Sequence, residues 1–258
     1  MTKELFIKDI MAKPTTISKS AKITEALDKM LDEGIDPLIA LNNSSVVGTV
    51  SREAIAEKLG SRQNTTLAPA AIHVASVVKE DFTSVYPDES VNVLIPLLQQ
   101  YKLVVVYDSD HNLIGQVTAI DLLKKYPYEG TITEAIDRAV TIDAEERVVH
   151  LRRRMLDDAI SRFVVTANDK ITGIVTETDV AVAMRKFRET VKDHHQDHQI
   201  RNLLVRDIMS APLISVEAGA GYRQIVDLMV AKNISTVPIT EKGKLTGLVT
   251  RRSLVRAL

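Results

Sequence analysis

The chain has 258 residues, 45% hydrophobic and 26% charged, and its 33 Lys plus Arg against 34 Asp plus Glu leave a net charge of -1. That composition is ordinary for a soluble globular protein: it supplies no basic field for nucleic acid or anionic membrane, and no apolar run nears the roughly 18 residues of a membrane span. With no cysteine, disulfides, thiolate metal sites and a cysteine nucleophile are excluded, and the N-terminus MTKELFIKDIM lacks the apolar stretch of a signal peptide, so a cytoplasmic location is expected.

In chain order the predicted elements repeat four times. The phrase DIMAKPTTIS (9–18) ends in an extended piece, and Ile23, Ala26, Leu27, Met30 and Leu31 follow at helical spacing. The apolar run Leu38 to Leu41 and the phrase VVGTVSREA (46–54), joined by NNSS, then read as a hairpin that leads into a second helix. The second copy runs FTSVYP, a helical period at Val91, Leu94, Ile95 and Leu98, then Leu103 to Tyr107 and LIGQVTAID (113–121) around DSDHN. The third runs AVTID, then Val148, Leu151, Met155 and Ala159, then Phe163 to Thr166 and ITGIVTETD (171–179) around ANDK. The fourth opens with DIMSAPLISV (207–216), continues through Tyr222, Ile225, Val226, Met229 and Val230, and closes with Val237 to Thr240 and LTGLVTRRS (245–253) around EKGK.

The expected fold class is therefore α+β: four β-α-β-β-α units over about 5–60, 72–126, 130–187 and 203–258. A unit this small is marginal alone and should pair with a neighbour. The segment 60–71 reads as a polar loop, 185–206 as a charged prolongation of the third repeat's last helix, and YPYEG (126–130) as a boundary. This divides the chain into 1–128 and 129–258, and charge divides with it: 14 of the 16 arginines lie in the second half, which carries net +2 against -3 for the first.

The DIM-x-x-P openings, the hairpins ending in Gly, apolar, Val, Thr, and the fourfold recurrence resemble the cystathionine beta-synthase (CBS) domain in four tandem copies. The resemblance implies that copies pack by their sheets as two pseudo-twofold pairs, with clefts that bind AMP, ADP or ATP. It also implies a non-catalytic regulatory protein that signals occupancy to a protein partner, similar to stand-alone regulatory CBS proteins and to the gamma subunit of AMP-activated protein kinase. A sensor of S-adenosylmethionine or methylthioadenosine and a structural adaptor with vestigial clefts are the rival readings, and the sequence leaves open whether two chains form a homodimer. No Walker loop, metal-ligand set or nucleophile with a base at motif spacing argues for an enzyme.

Ser51, Thr118, Thr176 and Thr250 fill one column of the repeated phrase, and three positions on stand Ala54, Asp121, Asp179 and Ser253. In the family the Thr and Asp of this phrase hold ribose; a carboxylate can accept hydrogen bonds from both vicinal hydroxyls. The same spacing is a helix capping box, which four caps but only two carboxylates do not fully explain. The resemblance further implies a phosphate contact from Arg162, and from Lys102 one position out of column. It implies an adenine pocket from Ile208, Met209, Ile234 and Ser235 for the Asp179 site, and from Ile10, Met11 and Ile35 for the Asp121 site. All seven are equally at home in a core. His194 and His198, four apart with Asp197 between them, fit one helix face, where a solvated polar helix competes with metal binding.

Overall fold

The computed structural model describes residues 4–60, 71–128, 130–190 and 202–258. Each repeat builds one three-stranded sheet whose first two strands are parallel and whose last two form an antiparallel hairpin. The strands are β1 (Thr16–Ser18), β2 (Leu38–Asn42) and β3 (Ser45–Val50); β4 (Thr83–Val85), β5 (Leu103–Tyr107) and β6 (Leu113–Thr118); β7 (Thr141–Asp143), β8 (Arg162–Ala167) and β9 (Lys170–Thr176); and β10 (Val216–Glu217), β11 (Thr236–Glu241) and β12 (Lys244–Thr250). After a short first helix α1 (Ile7–Ile10), each sheet carries a crossover helix and a closing helix: α2 (Ile23–Asp32) and α3 (Arg52–Gly60), α4 (Leu94–Gln100) and α5 (Ala119–Lys125), α6 (Val148–Asp157) and α7 (Glu177–Thr190), α8 (Tyr222–Ala231) and α9 (Arg251–Arg256). The order strand, helix, strand, strand, helix is the α+β arrangement that the sequence predicts.

Two local departures have visible causes. The helical period from Val91 is split into a 3₁₀ turn, Val91–Val93, and an α-helix from Leu94. Pro96 sits in that helix's first turn, where its missing N–H removes no intrahelical bond. Ala159 lies beyond the end of α6 with φ +52, so it ends the helix rather than extending its apolar stripe.

The opening segments are exchanged within neighbouring repeats. Ala12 bridges Gln116 of the second repeat, and Lys79 bridges Thr49 of the first; likewise Asp137 bridges Leu248 and Ser210 bridges Ile174. The cores obey a different partition. One buries Leu27, Ile55 and Leu59 of the first repeat with Leu151, Phe163 and Val175 of the third, and there α3 meets α7. The other joins Leu94, Leu98 and Leu122 of the second repeat to Ile225, Met229 and Leu254 of the fourth, where α9 lies against α4 and α5. A smaller cluster of Ile39, Leu103 and Val105 closes the sheets of the first two repeats on each other. Each repeat is thus joined to one neighbour through its opening segment and to another through its helices.

Candidate functional site

Every hairpin ends at the N-terminus of its closing helix, and the fold turns these ends inward. Arg52, Thr118, Thr176 and Thr250, one from each repeat, line a single cavity of about 330 Å³. Five cationic side chains, Arg52, Lys102, Arg162, Arg251 and Arg252, and three carboxylates, Asp36, Glu53 and Glu177, share its wall. Helix N-termini present unpaired amides and a positive dipole end, so the cavity suits anionic groups.

The caps are built in all four repeats. Asp179 Oδ2 accepts from the Thr176 amide and from Thr176 Oγ1, each at 2.7 Å. Asp121 Oδ2 accepts from the Thr118 amide at 2.8 Å and from Thr118 Oγ1 at 2.6 Å. In the degenerate copies the Ala54 amide donates to Ser51 Oγ at 3.2 Å, while Thr250 and Ser253 exchange two bonds of 2.9 Å in a buried box. The two aspartates differ at their second oxygen. Asp179 Oδ1 accepts from Ser210 Oγ at 2.8 Å, whereas among the described residues Asp121 Oδ1 has no hydrogen-bond partner.

Strand register sets the columns of the repeats. Arg162 faces Thr176 and Thr236 faces Thr250 across their hairpins, but Leu103 faces Thr118. Lys102 therefore shares the column of Ser161, one residue outside that of Arg162, yet its side chain still reaches the cavity wall. Arg162 donates Nη1 to Thr236 Oγ1 at 2.6 Å and Nε and Nη2 to Ser161 Oγ at 3.1 and 2.9 Å; burial lowers its pKa. No carboxylate among the described residues stands within ion-pair distance of it.

The residues proposed around adenine separate into two groups. The exchanged segments bring Ile208 and Met209 beside the strand that ends in Thr176, and Ile10 and Met11 beside the strand that ends in Thr118. Met209 Sδ and Met11 Sδ lie 3.2 and 2.9 Å from where a Cβ would stand on Gly173 and Gly115. Ser235 lines the central cavity with Thr176. Ile35 and Ile234 pack against the two cores, as Ile208, Met209, Ile10 and Met11 also do, but are not brought beside those strands by an exchanged segment. His194, Asp197 and His198 lie outside the described residues, among which no group of three or more His, Cys, Asp or Glu is placed to hold a metal ion.

Several features were missed by reading the phrase only at its first and fourth positions. The two residues between them carry Arg52 and Glu53, Glu177, and Arg251 and Arg252 to the cavity, and charge at those positions in three of four copies was the available signal. Lys102 Nζ lies 2.8 Å from Glu53 Oε2 and 3.4 Å from Glu177 Oε2, so one ammonium joins three repeats. Burial works against the Lys102 charge, but Glu177, Asp36 and Glu53 outweigh it and raise the lysine pKa. Burial raises the Glu177 pKa, Lys102 opposing and Glu53 adding to the shift. The side chains of Arg251 and Arg252 make no hydrogen bond or ion pair with any described residue, and Arg251 Nε is buried without a partner. A second cleft of about 390 Å³ opens beside Ser51 and Ala54, with Lys79, Phe82, Tyr101 and Arg252 on its walls.

A family model described as the CBS domain matches residues 7–61, 74–128, 132–186 and 205–258. The protein MJ1225 of Methanocaldococcus jannaschii is 21% identical over 270 residues, which cover 96% of this chain and 95% of that one. Its crystal structure, proposed as that of an archaeal homolog of g-AMPK, superposes with a TM-score of 0.80 at 20% identity over 98% of this chain and 99% of that one. A conserved protein from Pyrococcus horikoshii gives a TM-score of 0.64 at 21% identity with the same coverage. The inosine-5'-monophosphate dehydrogenase of Korarchaeum cryptofilum is 30% identical over 116 residues, 45% of this chain but 21% of that enzyme.

Proposed function

The chain belongs to the CBS-domain family, and from that premise we propose that it is a non-catalytic regulatory protein that binds adenine nucleotides between its repeats and reports their presence to a protein partner. The observation that carries this reading is the convergence of four hairpin ends on one cationic cavity, with carboxylates on two of them. On this reading Asp121 and Asp179 accept the ribose hydroxyls, Ile10 and Met11 or Ile208 and Met209 flank adenine, and phosphates turn toward the cavity. Residues 1–128 and 129–258 then hold one strong site each. The four-repeat fold shared with MJ1225, proposed as an archaeal homolog of g-AMPK, supports a regulatory role. Occupancy would act by favouring one arrangement of the paired repeats over another and so changing the surface the partner meets.

One observation favours a second ligand in the first half. Leu103 stands opposite Thr118 where Arg162 stands opposite Thr176, so the Asp121 site lacks a cation in its own column and draws positive charge instead from Arg251 of the fourth repeat, which suits a less anionic adenosyl compound such as S-adenosylmethionine.

Calorimetric titration of the full chain with AMP, ADP, ATP and S-adenosylmethionine tests both readings. Two strong sites are expected; Asp179→Ala should remove one and Asp121→Ala the other, each losing about 30- to 1,000-fold in affinity for two lost charged hydrogen bonds. Absence of binding by all four compounds would leave the clefts vestigial and the protein a structural adaptor.

A further inference from the structure

The cavity contains a feature that a simple anion receptor would not have. At its wall the carboxylates of Glu53 and Glu177, from the first and third repeats, hold the ammonium of Lys102, from the second, at 2.8 and 3.4 Å. Glu177 is the first residue of α7, directly after Thr176 and two before Asp179, and its side chain is only 16% exposed. Glu53 keeps 57% exposure, on the side that opens to the cleft beside Ala54. Around the Asp179 site stand Arg162 and Lys102 with the two carboxylates, and also Arg52, whose guanidinium is already engaged by the Met30 carbonyl and by Thr178 Oγ1. Of the other arginines, Arg251 has Asp121 and Arg52 as the charges acting on it, while Arg252 lines both this cavity and the cleft beside Ala54 and adds positive charge near Arg162, where the first phosphate would sit.

From this arrangement we infer that Glu53 and Glu177 limit the number of phosphates on a nucleotide held at Asp179, admitting a monophosphate and disfavouring a triphosphate. The inference rests on the nucleotide-binding reading above. A ribose at Asp179 places its first phosphate at the N-terminal turn of α7, where Arg162 is free of any carboxylate partner and can meet it with a planar fork. Each further phosphate extends toward Lys102, whose charge Glu53 and Glu177 have already matched. The added negative charge then meets two carboxylates in a half-enclosed cavity, where like charges are poorly screened. The two glutamates come from different halves of the chain, so the limit depends on how the halves are assembled and not on one pair of repeats.

The test uses the full chain, magnesium-free, with AMP, ADP and ATP titrated into wild type, Glu53→Gln and the double variant Glu53→Gln, Glu177→Gln. Glutamine keeps an oxygen to accept from Lys102, and circular dichroism verifies the fold. Glu53→Gln alone keeps the test decisive if the buried position does not tolerate change. Wild type should prefer AMP, and the ratio of ATP to AMP affinity should rise on the order of tenfold in the double variant and by less in the single one. An unchanged ratio, or an equal gain for all three nucleotides, overturns the inference while leaving the binding reading intact. Failure of wild type to bind any of the three overturns the binding reading itself.

Discussion

Asp179 illustrates how one side chain serves two roles. Its Oδ2 closes the cap of α7, which makes the carboxylate structural, while its Oδ1 is held by Ser210 from the exchanged segment of the fourth repeat. A ribose hydroxyl at this oxygen competes with that serine. Ser210→Ala should therefore tighten nucleotide binding at this site about 2- to 10-fold, less than the full value of a charge-assisted hydrogen bond because water takes the place of the serine, with calorimetry as the measure. An unchanged or weaker affinity would mean that the serine does not compete. The cap also implies that Asp179→Ala costs about 0.5 to 2 kcal/mol of stability along with its affinity, so both must be measured. The threonine and aspartate columns were legible because they recur; Ser210 was not, since nothing in local spacing shows that it lies against Asp179, 31 residues away.

At the scale of elements, the glycine of each hairpin phrase is explained by the segment crossing it. A Cβ on Gly173 would stand 2.6 Å from the Ser210 carbonyl oxygen, and one on Gly48, whose φ is +144, would stand 2.2 Å from that of Lys79. The glycines are the points where another repeat's backbone passes. Gly173→Ala should push the 208–210 segment off β9 and cost about 1 to 3 kcal/mol in chemical denaturation. Gly221→Ala, at a position with nothing within 4 Å, should cost less than about 1 kcal/mol and serves as the control. Equal effects would remove the crossing as the cause. The hairpins and crossover helices were readable from alternation and helical period, and from glycine as punctuation. That the same glycines mark a close approach was not, because a one-dimensional pattern does not say what lies above a strand.

For the whole molecule, the sequence shows apolar faces but not which faces meet. Neighbouring repeats exchange opening segments, yet the two large cores join first to third and second to fourth. An isolated fragment 1–128 would leave Ile55 and Leu59 without Phe163, and Leu94 and Leu98 without Leu254. Full-length protein should accordingly unfold in one calorimetric transition, and the fragment should self-associate through the bared helix faces. A monomeric fragment with a sharp transition of its own would argue that the shared cores contribute little.

The exchanged segments also order events during synthesis. Residues 6–12 leave the ribosome well before their partner, so Ala12 has no strand to join until Gln116 has been made, and the core under α3 stays open until α7 follows some 60 residues later. The nascent first repeat must therefore wait, apolar side outward, for most of the polypeptide to appear. A pause or truncation downstream of residue 60 would hand quality-control machinery an adhesive intermediate, making this protein more dependent on chaperones than four autonomous domains of the same size.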